Sequence, residues 1–79
     1  MPIKSYLAHP HEGKKKELIA AISSLEACEV IPAQNKNVLV VITDTQTEKE
    51  DEILKEKLDA LSSLKLLAMV AGFNTSQNN

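Results

Sequence analysis

The stretch that decides the fold reads Cys28-Glu29-Val30-Ile31-Pro32-Ala33, then Gln34-Asn35-Lys36-Asn37, then Val38-Leu39-Val40-Val41-Ile42. Its first part is short and β-branched at Val30 and Ile31, but Pro32 lacks the amide that a central strand needs, so the segment belongs at a sheet edge. The middle part is polar, and asparagine tolerates left-handed backbone, which predicts a turn that sends the chain back antiparallel. The last five residues are apolar without a break, as expected of a strand in the middle of a sheet.

Upstream of this hairpin, Ile3 to His9 sets Ile3, Ser5 and Leu7 against Lys4, Tyr6 and Ala8, the period-two alternation of a first strand. Pro10 interrupts it. Glu12 to Leu25 then carries Leu18, Ile19, Ile22 and Leu25 on one helical face. Downstream, Thr47 with Glu50 matches a capping box, and Glu48, Asp51 and Glu52 put negative charge where a helix dipole is positive. The second helix would present Ile53, Leu54, Leu58 and Leu61, with an outward Asp51 to Lys55 pair, and weaken at Ser62-Ser63. Leu66 to Ala71 reads as a last buried strand. Residues 74–79 are polar and aperiodic, a flexible tail on a single domain spanning 1–73.

The order strand, helix, strand, strand, helix, strand predicts an α+β, ferredoxin-like βαββαβ sandwich: a four-stranded antiparallel sheet with both helices on one face and strands one and three in the centre. At 79 residues there is room for one core. With 43% apolar residues and only Tyr6 and Phe73 as aromatics, that core is aliphatic.

Nine lysines, no arginine and eleven acidic residues leave a net charge of −2, which argues against a nucleic-acid binder. No window is apolar and long enough to span a membrane, and Met1-Pro2-Ile3-Lys4 lacks a secretory layout, so a cytoplasmic location is expected. Candidate chemistry is sparse. His9, His11 and Glu12 invite a metal reading but lack a further Cys or His ligand, and a surface pair is the simpler account. Gly13-Lys14-Lys15-Lys16 has one glycine and is no P-loop. Cys28 is a lone thiol, read as core. No spacing suggests a nucleophile with its base, so neither an enzyme nor a cofactor is expected.

Two helices shield one sheet face, and function is therefore sought on the other. If Ile3, Leu7, Cys28 and Val30 face the helices, then Lys4, Tyr6, Ala8, Glu29 and Ile31 point outward. Strand three is apolar on both parities, so either Leu39 and Val41 or Val38 and Val40 join them; Leu39 and Val41 are placed in the candidate set. Strand four adds Leu66, Ala68 and Val70. The expected surface is an apolar centre rimmed by Lys4 and Glu29, suited to protein association. Two such faces packing in a homodimer, or scattered apolar groups simply tolerated at the surface, would account for it equally well.

With Ser5-Tyr6-Leu7-Ala8 in strand one, Ala27-Cys28-Glu29-Val30 at strand two and Leu66-Leu67-Ala68-Met69-Val70 in strand four, the chain resembles the NapD family over roughly Ile3 to Phe73. These are cytoplasmic chaperones for assembly of periplasmic nitrate reductase. The resemblance implies binding to the twin-arginine signal peptide of the molybdenum-containing catalytic subunit, held back from export until its cofactor is inserted, by a chaperone that itself needs no cofactor. The peptide-binding candidates are then Lys4, Tyr6, Ala8, Glu29, Ile31, Leu39, Val41, Ala68 and Val70. The alternative is an ACT-like small-ligand sensor or another interaction domain.

Overall fold

The computed structural model describes residues 2–34 and 36–74. The elements run β1 (Pro2–Pro10), α1 (Lys15–Ser23), β2 (Cys28–Pro32), β3 (Leu39–Asp44), α2 (Glu48–Asp59) and β4 (Leu64–Asn74). The four strands form one antiparallel sheet in the order β2-β3-β1-β4, the ferredoxin-like arrangement. β1 and β3 are central, and β2 with its Pro32 is an edge. The expected tail over 74–79 lies outside the described residues from 75 on; Asn74 itself pairs with Pro2 at the end of β4.

Both helices begin for local reasons. α1 starts three residues later than the periodicity suggests because Gly13 sits at φ 78, a left-handed turn that no helix contains. The Lys14 amide donates back to the His11 carbonyl at 2.9 Å to close that turn. Lys15, the first helical residue, reaches away from the helix and donates from Nζ to the carbonyls of Ala33 and Lys36, both at 2.8 Å. One lysine of the basic turn therefore fastens α1 to the loop between β2 and β3. At α2, the Glu50 amide donates to Thr47 Oγ1 at 3.1 Å, and the Glu50 carboxylate accepts from the Gln46 amide at 3.0 Å. The capping box forms with its return bond one residue earlier than the standard pattern.

α1 packs over β2 and α2 over β4. Leu18 and Ile22 from α1 and Leu54 and Leu58 from α2 bury against Tyr6, Ala8, Leu39 and Val41 of the central strands. β1 thus turns to the helices the parity opposite to the expected one. Tyr6, at 2% exposed, is the largest side chain in the core, and Ala8 leaves room for the helices to approach. Lys4 follows the same parity because Asp51, in the first turn of α2, takes its ammonium in a largely buried ion pair. Asp51 is therefore spent on the sheet, and Lys55 pairs instead with Asp59 at 2.9 Å.

Three groups on this inner side titrate in one direction. The hydrogen bond from its ammonium to Asp51 holds Lys4 above the ordinary lysine value of 10.5. Burial pushes the Tyr6 hydroxyl above 10.0 and the Cys28 thiol above 9.0. Each folded group keeps its proton at a pH where the unfolded chain has released it, so stability falls as pH rises. The contribution is complete below the unfolded thiol value of 9.0 and is lost progressively as pH climbs through the folded values. Urea midpoints should fall above about pH 9, and Cys28→Ala should move the onset towards the tyrosine range near 10. A midpoint that holds or rises up to about pH 11 would contradict the assignment.

Candidate functional site

The registers fix what the bare face of the sheet presents. Ser5 lies opposite Ile42 and Leu7 opposite Val40, so these residues share the side away from the core formed by Tyr6 and Val41. Ile3 and His9 continue that row along β1. On β2, Glu29 pairs with Ile42 and Ile31 with Val40, which puts both on the open face. On β4, Leu66 pairs with His9 and Ala68 with Leu7. Val70 follows them by alternation as the extra residue where the register shifts between Ser5 and Tyr6.

Of the nine candidates named from the sequence, Glu29, Ile31, Ala68 and Val70 stand on this face. Lys4, Tyr6, Ala8, Leu39 and Val41 do not. Tyr6, Ala8, Leu39 and Val41 are buried against the helices, and Lys4 is held by Asp51 on the helix side. In their place the open face carries Ile3, Leu7, Val40 and Ile42, all half-buried. Alternation along β1 leaves its facing open, and the burial of the Tyr6 ring together with the Asp51 carboxylate that holds Lys4 decides it.

The corrected face is more apolar than the expected one. Leu7, Ile31, Val40, Ile42, Leu66 and Ala68 make a continuous aliphatic surface across all four strands, with Ile31 and Leu66 among the exposed large hydrophobics. Its acidic groups gather at one end. Where β1 begins and β3 finishes, a shallow pocket of about 360 Å³ is lined by Ile3 and Ile42 together with Glu26, Glu29 and Asp44, and among the described residues no cation lines it. Three carboxylates beside an apolar floor favour a ligand that is cationic at one end and apolar along the rest.

The helix side carries a different depression. A groove of about 390 Å³ between the end of α1 and α2 is floored by Leu25 and Leu54 and edged by both Glu50 and Lys57, so it has no single charge preference. His9 lies on the open face opposite Leu66, whereas His11 sits in the exposed turn after β1. Among the described residues no group of three or more His, Cys, Asp or Glu is placed to hold a metal ion. Among them, too, no helix is long and apolar enough to cross a membrane.

Compared with models of known protein families, with curated proteins and with solved structures, the chain matches none.

Proposed function

We propose that this chain is a peptide-binding assembly chaperone whose open sheet face captures a basic, apolar export leader. The observation that carries the reading is the division of that face into an aliphatic floor and an acidic end. A twin-arginine signal peptide has the complementary layout: arginines first, then an apolar stretch. Its guanidinium groups would meet Glu26, Glu29 and Asp44, and its apolar stretch would cover Leu7, Val40 and Leu66. The short sequence words shared with NapD chaperones support a particular client, the leader of the molybdenum-containing nitrate reductase subunit, retained until its cofactor is inserted.

The direct test is calorimetric titration of the chain with a synthetic twin-arginine leader. Binding with a dissociation constant of tens of micromolar or tighter is expected, which corresponds to roughly 6 kcal/mol or more. Silence up to millimolar peptide would remove the reading.

The acidic end makes its own prediction. Replacing Glu29 and Asp44 together by lysine should weaken binding by about tenfold or more and flatten its salt dependence, because the attraction between the exposed carboxylates and the arginines is screened by added salt. Both positions are exposed, so the fold should hold. Unchanged affinity with an unchanged salt slope would detach the peptide's basic end from this pocket.

A further inference from the structure

We infer that β4 is a dimerisation edge: it pairs antiparallel with β4 of a second copy of this chain, about a two-fold axis at Ala68, to join two four-stranded sheets into one. The inference does not rest on the peptide reading, because it is argued from the rim of the sheet, where Leu66 and Val70 border the open face.

The two edges of the sheet are built differently. β2 is five residues long, ends in Pro32 and carries Glu29, features that discourage strand addition. β4 is eleven residues long, with no proline, no acidic side chain and Lys65 as its one charge. Leu66, Met69 and Val70 along it are 55%, 59% and 59% exposed. They flank the edge on both sides, for Leu66 shares the open face while Met69 lies opposite Tyr6 on the helix side, beyond the cover of α2. A strand added here must be apolar on both faces, and β4 itself is such a strand.

Self-pairing also has a definite register. In an antiparallel pair opposing residues share a face, so an axis must fall on a residue. Ala68 is the small residue at the middle of the exposed stretch. An axis there sets Leu66 against the second copy's Val70 on the open face and Leu67 against the second copy's Met69 on the helix side. It separates the two Lys65 side chains by six residues, about 20 Å.

The helices agree with that axis. Asp51 of α2 is anchored on Lys4 of β1. At ~1.5 Å per helical residue and ~3.3 Å per strand residue, Lys55 stands level with Tyr6 and Asp59 between Leu7 and Ala8. Glu50, Ile53 and Lys57 edge the groove that α2 shares with the end of α1, so Lys55 and Asp59, on the opposite flank of the helix, stand over the β4 side of the sheet. The midpoint of the pair is level with Leu7, the residue that faces Ala68. A two-fold axis at Ala68 therefore brings Lys55 beside the second copy's Asp59 and Asp59 beside the second copy's Lys55. The register shifts at Val70 and near Lys65 confine regular pairing to a short stretch, so the dimer forms in the micromolar to millimolar range.

Sedimentation of the full chain from about 10 µM to about 1 mM should show a monomer–dimer equilibrium. Met69→Lys should weaken association at least tenfold, while circular dichroism stays native because the side chain is exposed. Lys55→Asp and Asp59→Lys should each weaken it several-fold, and the double exchange should restore it, since the exchange keeps both the intrahelical pair and the pairs across the axis. None of these positions lies on the open face, so leader binding should not change in any of them. A chain that stays monomeric at ~1 mM overturns the inference. So does a dimer that ignores Met69→Lys but disappears with Leu7→Lys, which would place the contact on the open faces. Dissociation of the dimer by saturating leader peptide would assign the edge to the peptide and likewise overturn it.

Discussion

Replacing Leu7 by lysine should weaken capture of a basic, apolar peptide by at least tenfold and leave the domain folded, whereas replacing its neighbour Tyr6 by alanine should come close to unfolding it. Leu7 stands in the middle of the open face between Val40 and Ala68, partly exposed and outside the helix-side core cluster. Burying a leucine against a ligand is worth about 1.5–3 kcal/mol, and a lysine there would also set a charge under the peptide's apolar stretch. Its cost to the free domain should be about 1 kcal/mol or less. Tyr6 is the largest fully buried side chain, and its loss should cost about 3–5 kcal/mol. A domain of this length has a total stability of about 4–12 kcal/mol. Calorimetry and urea unfolding of the two variants give opposite readouts from adjacent residues. If Leu7→Lys unfolds the chain and Tyr6→Ala does not, the two faces are exchanged.

Lys4→Met should destabilise the fold by about 3–5 kcal/mol, and Asp51→Leu placed on top of it should recover most of the loss. The asymmetry of the pair sets this order. The Asp51 side chain is 5% exposed and would be stranded as a buried carboxylate, while Lys4 at 24% can still lift its ammonium towards water when Asp51 is removed. Asp51→Leu alone should accordingly cost less than Lys4→Met alone. Urea unfolding of the two single variants and the double variant measures all three numbers. If Lys4→Met changes stability by less than about 0.5 kcal/mol, the ion pair does not hold the strand.

The topology was legible because its signals were local and independent. Pro32 named an edge, the unbroken run 38–42 named a centre, and Thr47 with Glu50 named a helix start, each for a reason that tertiary contacts did not need to supply. The parity of β1 was not legible in the same way. Its two halves differ little in hydrophobicity, and the choice between them depends on Asp51, 47 residues away in sequence. β3 is apolar on both parities and takes its facing from β1 through the pairing of Tyr6 with Val41, so its own residues do not decide it. β2 is legible as to face because Glu29 separates from Cys28 and Val30, whereas β4 is apolar on both parities, and in place of the buried strand its composition suggests it forms an edge that leaves Leu66, Met69 and Val70 exposed. The acidic end of the face was invisible in sequence, since Glu26, Glu29 and Asp44 come from a loop and two strands that only the hairpin brings together.

The extra residue at Val70 has a geometric consequence for whatever lies on the sheet. A bulge sharpens the local twist, so the end of the face near Ile3 and Ser5 is turned relative to the end near His9 and Leu66. From Ile3 to His9 the row along β1 measures about 20 Å, the length of some thirteen helical residues or six extended ones. A helical segment of two to four turns therefore covers the row, and it meets a floor whose two ends are turned relative to each other.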